Sequence, residues 1–487
     1  MKHDDIDPRS CLAEIDEKEK PLCALSDRIW EYAETAFEEF QSAEALAVFL
    51  ERDGFSVERG AYGIPTAFTG TFGTDGPRIG ILGEFDALSG LNQTSGATRK
   101  ESENPGANGH GCGHNLLGVG SVAAALAVKK YIQSGFPGTV VYYGCPGEEG
   151  GSGKAFMARS GAFSNLDCAL AWHPSALNMV YQNTSLANFQ LQYTFHGVSA
   201  HAAGSPEMGR SALDALELMN VGINFLREHM LEKARVHYAI TNTGGYSPNV
   251  VQNLAKGIYL VRAPKQGQAL ELSKRVEKIA AGAALMTETT VEHRLLKSCA
   301  NMISNRVMEQ VLYDSMRELG TPKYSPEEYG LARRYADTAP AGADRGYTDA
   351  VEERLDPENQ KFLLNKKSDP FYDFIVPYEP MHLVCVEAGS TDVGDVSWMC
   401  PTVQLYAATW APGTPGHSWQ VVSQGKSSYA HKGMLFAGKA LALTAMRLMR
   451  DPGLLERAGE EHRLALKGQT YIPIPGEIHP VPLGSVK

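Results

Sequence analysis

The sequence predicts an α/β protein: a mostly parallel sheet flanked by helices, interrupted by a smaller βαββαβ unit of ferredoxin-like order. Short apolar, β-branched runs alternate with helical segments in the first third of the chain, the pattern of a parallel sheet covered on both faces. From about residue 184 the rhythm changes to strand, helix, strand, strand, helix, strand over about 120 residues. The chain also has 487 residues, more than one domain usually holds.

Each element has its own reason. Leu25, Ile29, Tyr32, Phe37, Leu46 and Leu50 recur at three- and four-residue steps between residues 12 and 52, a helical period that Gly54 ends. RIGILGEF (78–85), TVVYYGC (139–145) and CALAWH (168–173) are short, apolar and bounded by Gly, Pro or polar residues, as buried strands are. A helix over 116–133 lies between the first two. Sheets of this kind bind ligands just beyond the C-terminal ends of their strands. The polar clusters at 84–86, 146–149 and 173 sit at such ends. The second unit reads LANFQLQYTFHG, GRSALDALELMNVGINFLREHM, RVHYAITNTGG, GIYLVRA, GQALELSKRVEKIAAGAALM and TVEHRLLKS in turn. Boundaries are therefore predicted at 1–183 and 305–487 for the main domain and 184–304 for the insert. The polar stretch from about 336 to 372 reads as a surface insertion, and the proline-rich YIPIPGEIHPVP as an extended surface tail.

Composition narrows the function classes. With 43% hydrophobic and 21% charged residues the chain can bury a core and is unlike a disordered one. Its net charge of -11 comes without a basic arm, so nucleic acid is not an expected partner. The acidic start MKHDDIDPRSCLAEIDEKEK lacks the apolar run of an export signal. GVGSVAAALAV (118–128) stops at Lys129 and Lys130, well short of the ~20 residues that cross a bilayer, and reads as a buried helix. Eight scattered cysteines fit reduced thiols, so a cytoplasmic location without membrane contact is expected.

The densest polar cluster is NGHGCGHN, residues 108–115. In an extended segment His110, Cys112 and His114 would project to one side while the glycines between them leave room for close approach. Imidazole and thiolate suit zinc and related metals. Two other readings stay open: Cys112 as a nucleophile activated by a flanking histidine, or a closed structural zinc site, for which no second ligand pair is evident nearby. CPGEEGGSGK (145–154) places Glu148 and Glu149 directly after a strand; one carboxylate can bind metal while its neighbour takes a proton from water. GGSGK fails as a phosphate loop, since Ala155 stands where Ser or Thr would hold magnesium, and GVGSVA at 118 follows a loop rather than a strand. His173 ends a strand and His417 lies in the loop PGTPGHSW. With the two clusters they complete a plausible two-metal set.

These residues resemble those of the co-catalytic metallopeptidase and aminoacylase family, which includes carboxypeptidases, N-acyl-amino-acid hydrolases and auxin-conjugate hydrolases. The resemblance spans nearly the whole chain through GEFDALSGLNQ (83–93), NGHGCGHNLLG (108–118), GEEGGSGK (147–154), GVSAHAAGSPEMGRSALDA (197–215) and GSTDVGDVSW (389–398). It implies a zinc-peptidase-like catalytic domain with a lid and dimerisation domain at 184–304. It further implies that Cys112, His114, Glu149, His173 and His417 hold the metals and that Glu148 is the general base. Cys112 takes the place of a bridging aspartate. The His-x-Asp motif of many relatives is here Glu84-Phe85-Asp86, so the usual first histidine ligand is absent; Asp86 is expected to orient a ligand. In the lid, His201 matches a histidine that reaches the scissile carbonyl, commonly from a partner subunit. Asn249 and Arg262 match residues that bind substrate carboxylate or carbonyl groups, and Gly389 and Ser390 are expected to line the pocket.

The expected activity is metal-assisted hydrolysis of an amide bond in an N-acyl or N-aroyl amino acid or a dipeptide. Two divalent ions, manganese or zinc, would lower the pKa of bound water toward ~7; Glu148 would accept its proton, and metal and His201 would stabilise the oxyanion. The alternatives are a metal-independent thiol hydrolase built on Cys112 and a non-catalytic partner subunit of a heteromeric amidohydrolase. The expected partners are a small-molecule substrate and a second copy of the chain, joined through the lid, or a heteromeric partner subunit.

Overall fold

Along the chain run strands β1 (Ser56–Arg59), β2 (Phe68–Phe72), β3 (Arg78–Glu84), β4 (Thr139–Cys145), β5 (Cys168–Ser175), β6 (Met179–Val180), β7 (Ala187–His196), β8 (Arg235–Asn242), β9 (Leu254–Ala263), β10 (Thr290–Cys299) and β11 (Thr402–Ala408). The computed structural model describes residues 7–340, 343, 355–380 and 385–482. The chain divides into two units, Met1–Gln182 with Ile303–Val384 and Met399–Gly468, and Asn183–Met302 with Cys385–Trp398 and Gln469–Lys487.

In the larger unit the sheet order is β1-β2-β4-β3-β5-β11-β6. The inner strands β4, β3, β5 and β11 are parallel to one another, whereas β1, β2 and β6 pair antiparallel at the edges. The sheet is thus mixed, with the expected parallel strands at its centre. Every residue of β4 is buried, as a strand covered on both faces requires. The helix His114–Gln133 is apolar around most of its circumference and buried along most of its length, the mark of an internal helix. It meets the helix Ser428–Arg450 through two glycines: a Cβ on Gly438 would lie 2.8 Å from the Gly120 carbonyl, and one on Gly120 would lie 2.7 Å from the Trp172 ring.

The helical period over 12–52 is not one helix. It forms Glu19–Tyr32 and Phe40–Arg52, separated by a turn in which Ala33 (φ 43°) and Phe37 (φ 64°) are left-handed. Glu34 makes the break possible, because its carboxylate accepts the Gln41 and Ser42 N–H groups (3.0 and 2.9 Å) at the start of the second helix. The helix expected at 116–133 begins two residues earlier, at His114. Part of the polar stretch 336–372 lies outside the described residues; within the remainder, Pro357–Lys366 is a helix capped by Asp356. Ile472, in the tail, accepts a hydrogen bond from Gln266.

In the smaller unit β7–β10 form an antiparallel sheet in the order β10-β7-β9-β8. Its helices, Ala212–Leu226 and Gln266–Met286, share a core with it: Leu191, Tyr193 and Val261 from the strands, Leu216, Met219 and Val276 from the helices. Burial alternates strictly along β9, as it must when one face of a sheet is covered. Two segments outside 184–304 group with this unit. Asp395 explains both, since it accepts from the Ala300 N–H at 3.1 Å and the Tyr471 hydroxyl at 2.7 Å. Among the described residues no helix is long and apolar enough to cross a membrane.

The helix crossing in the larger unit leaves no space for added volume. Gly120→Val is expected to destabilise it by about 1–3 kcal/mol, seen as a lower midpoint in urea denaturation followed by circular dichroism.

Candidate metal centre

Loops after β3 and β4, the end of β5, the start of the helix His114–Gln133 and the 417 loop, all parts of the larger unit, carry the candidate site. Gly113 adopts φ 73° and starts the helix, so that His114 is its first residue. A side chain at Gly113 would be strained by that φ, and its Cβ would crowd Pro174 at 3.1 Å. The segment is therefore not extended, and His110 does not join its neighbours: it is buried elsewhere, with Nε2 2.9 Å from the Ile29 carbonyl. The His417 N–H donates to Gly111 O at 3.0 Å, which ties the 417 loop to the turn beneath Cys112, and His417 itself is left-handed at φ 54°.

Two groups of donor atoms share Cys112. One is Cys112, His114 and His173; the other is Cys112, Glu149 and His417; within each, all donor atoms lie within 4.8 Å of one another. Cys112 Sγ is 3.5 Å from His173 Nε2, and His417 Nε2 is 3.2 Å from Glu149 Oε2. Ligands bonded at about 2.0–2.3 Å to one zinc-sized ion are roughly 3–4 Å apart, so these spacings suit a coordination sphere. Two buried atoms, His114 Nε2 and Glu149 Oε1, have no hydrogen-bond partner. Buried polar groups rarely go unsatisfied, and a cation in each donor group would use one of them. The histidines present the correct nitrogen: His114 Nδ1 is 2.9 Å from Asp86 Oδ1 and His173 Nδ1 is 2.7 Å from Pro174 O, which places the proton on Nδ1 and the lone pair on Nε2 when the ring is neutral. The residues fit a pair of divalent cations.

The electrostatics agree. Burial works against charge on His114, but the Asp86 carboxylate and its hydrogen bond hold the imidazole well above its ordinary value. Burial and then the His114 charge lower His173 to about 4. Glu149 resists burial because the hydrogen bond from His417 and the charges of His114 and His417 lower it to about 2; the same hydrogen bond raises His417. Burial and then the Glu149 carboxylate push the Cys112 thiol up. Without a cation this sulfur is protonated, which disfavours it as a nucleophile.

The segment Gly147–Lys154 is tied down along its length. Gly147 N–H donates to buried Glu39 Oε1 at 2.8 Å, Glu149 N–H donates to Asp86 Oδ2 at 2.8 Å, and fully buried Lys154 pairs with Glu84 Oε1 at 2.6 Å. Glu84 Oε2 in turn lies 3.3 Å from His114 Nε2, and Glu84, His114 and Glu148 form a third close group. Sequence reasoning passed over Lys154 and Glu39. The buried Lys154–Glu84 pair had one available signal, Glu84 standing where the resemblance implies a histidine.

Asn249, His201, Arg262, Gly389 and Ser390 belong to the smaller unit. His201 is exposed; its Nδ1 accepts the Ala203 and Gly204 N–H groups at 3.2 and 3.0 Å, leaving Nε2 as the other ring nitrogen. Asn249 O accepts the Ala202 N–H at 2.9 Å, so these residues are neighbours. Arg262 and Ser390 are also brought together, Nη1 to Oγ at 3.3 Å, and Gly389 O accepts from Leu186 N–H. Arg262 Nε is buried without a hydrogen-bond partner.

Residues 80–370 match the model of peptidase family M20/M25/M40. The chain is 49% identical to one subunit of p-aminobenzoyl-glutamate hydrolase from Escherichia coli (strain K12) over 461 residues, covering 94% of this chain and 95% of that protein. It is 29% identical to Xaa-Arg dipeptidase of Homo sapiens over 476 residues, 94% of this chain and 92% of that one. Its fold is similar to the crystal structure of Bacillus subtilis YXEP protein, a dinuclear metal-binding peptidase from the M20 family, with a TM-score of 0.55, 13% identity, and coverage of 89% of this chain and 99% of that one.

Lys154→Met leaves the Glu84 carboxylate buried without its ammonium. The expected cost is about 3–5 kcal/mol in urea denaturation of the metal-free protein, and Glu84→Gln combined with Lys154→Met should recover most of it.

Proposed function

The chain belongs to peptidase family M20/M25/M40, and from that premise we propose that this metal-dependent amidohydrolase cleaves the amide bond of an N-acyl or N-aroyl amino acid, p-aminobenzoyl-glutamate or a close analogue. The observation that carries the reading is the convergence of Cys112, His114, Glu149, His173 and His417 into two donor groups that share Cys112. Cys112, His114 and His173 would hold one divalent ion, and Cys112, Glu149 and His417 a second; zinc or manganese would serve, and thiolate softness favours zinc. When bound, they supply a Lewis acid that acidifies water and polarises the amide carbonyl.

Glu148 projects from the same turn as Glu149 and belongs to neither group that shares Cys112. It takes the proton of the attacking water and returns it to the departing amine nitrogen. His201 donates a hydrogen bond from Nε2 to the oxyanion, and Asn249 binds a polar group of the substrate. The Arg262 guanidinium, with Gly389 and Ser390 beside it, takes the carboxylate of the amino-acid half. Asp86 orients His114. The dipeptide reading, favoured by the likeness to an Xaa-Arg dipeptidase, replaces the aroyl group by an aminoacyl group and keeps the α-carboxylate of the amino-acid half.

Glu148→Ala should lower kcat by at least about 100-fold on a panel of N-acyl and N-aroyl amino acids, with folding and metal content kept. Complete chelation should abolish turnover and zinc or manganese restore it; activity that survives chelation would favour the Cys112 thiol.

A second chain completes the reading. β8 is a sheet edge whose Tyr238 and Ile240 are exposed, and an open apolar edge favours pairing with a copy of itself. The homodimer would bring His201 to the partner's metal centre. Because the relative with 49% identity is itself one subunit of a hydrolase, a different partner subunit is the second outcome. Light scattering on the purified chain should give the mass of two copies together with turnover. A strictly monomeric active enzyme would remove the role of His201 across the dimer, and activity that appears only with an added second protein would replace the homodimer.

A further inference from the structure

The turn that carries Glu148 and Glu149 does not support itself. It begins at Gly147, left-handed at φ 68°, and its helix is only Glu148–Gly151, too short to be stable alone. Its start is held by the break between the helices Glu19–Tyr32 and Phe40–Arg52. Phe37, itself left-handed at φ 64°, fills the space beside Gly147 and Gly151, where a Cβ would lie 2.9 and 2.4 Å from its ring. The ring also meets Phe156 edge-on at 6.2 Å. Glu39, fully buried, accepts the Gly147 N–H at 2.8 Å. The same break reaches the loop after β3, where Ala87 N–H donates to Glu34 O at 2.8 Å, one residue beyond Asp86. One strained segment therefore contacts both loops from which Glu148, Glu149 and Asp86 project.

We infer that Glu39 is a positioning residue for the reaction: its buried carboxyl, by accepting the Gly147 N–H, fixes the backbone from which the proposed base and the neighbouring ligand both extend. Glu39 touches neither substrate nor metal. Its effect passes through the direction of the Glu148 side chain, and displacement of a reacting group by about 1 Å costs on the order of 100-fold in rate. What the turn needs is an acceptor at the reach of a glutamate side chain. Charge is not the requirement, because burial and then the Asp86 carboxylate raise Glu39 to about 8 and keep it neutral at pH 7. The inference rests on Glu148 as the base.

The test compares two conservative variants. Glu39→Gln keeps the acceptor at the same reach and removes the carboxyl; Glu39→Asp keeps the carboxyl and withdraws it by one methylene. The expected kcat of E39Q is within about threefold of the parent, while that of E39D falls about 10- to 100-fold, with KM and the metal content by mass spectrometry unchanged in both. A role in charge would reverse the order, and E39D equal to the parent would remove the role; either result overturns the inference. A merely structural role would lower the urea midpoint of E39D and leave kcat per folded molecule intact, which also overturns it. Glu148→Gln run in parallel separates the two readings: an active E148Q overturns the base assignment and this inference with it, whereas an inactive E148Q with E39D equal to the parent overturns the Glu39 role alone.

Discussion

Asp86 joins the two halves of the site. One oxygen holds His114 Nδ1 at 2.9 Å and the other accepts the Glu149 N–H at 2.8 Å. A residue of each donor group that shares Cys112 is therefore indexed to a single buried carboxylate just beyond the end of β3. A carboxylate with both oxygens engaged and no exposure has little freedom to rotate, so the relative position of His114 and Glu149 is fixed by the parallel pairing of β3 with β4. That pairing sets Glu84 opposite Cys145, two residues short of Gly147. The constraint thus descends from sheet register to ligand spacing, and a slip of register would separate the donors.

The need to bury these groups explains much of what surrounds them. Glu84 and Lys154 are inside the protein, and their pairing offsets part of the cost of burying each charge. His114 stands between Asp86 on Nδ1 and Glu84 near Nε2. The turn passes through left-handed conformations at Ala33 and Phe37 that cost energy, and the cost is offset by the helix capping of Glu34, the ring packing of Phe37 and the hydrogen bond from Gly147 to Glu39. Rigidity of this kind is what a centre needs if its donors are to remain together while mutually repelling.

Much of this was legible in the sequence, and the limit falls at contacts between distant residues. The strands RIGILGEF, TVVYYGC and CALAWH were visible because they are continuous apolar runs between turn residues, and the βαββαβ insert because its periods alternate between two and 3.6. The polar residues at the strand ends identified themselves by their glycines and by the resemblance. His110 misled, because alternation holds only in extended chain and the turn at Gly113 cancels it. The helix break at Ala33–Glu39 stayed hidden, since Leu25, Ile29, Leu46 and Leu50 keep the period on both sides of it. Lys154 and Glu39 are hard to single out on their own, because their partners are 70 and 108 residues away and a buried lysine or glutamate looks in sequence like any surface charge.

The candidate donors gather acidic groups in a largely buried site: Glu84, Asp86, Glu148 and Glu149 lie around Cys112 and His114, with Lys154 paired to Glu84, and divalent cations held there would offset the desolvation cost of those groups. The whole chain, at -11, offers an anionic substrate no attraction at long range, and salt screens that field within about 10 Å. In the proposed reading, attraction for a substrate carboxylate is therefore local. Arg262, whose Nε is buried and without a hydrogen-bond partner, is a cation whose desolvation is already part of the folded state, so that pairing it with a carboxylate recovers electrostatic energy that a solvated arginine would have spent on water.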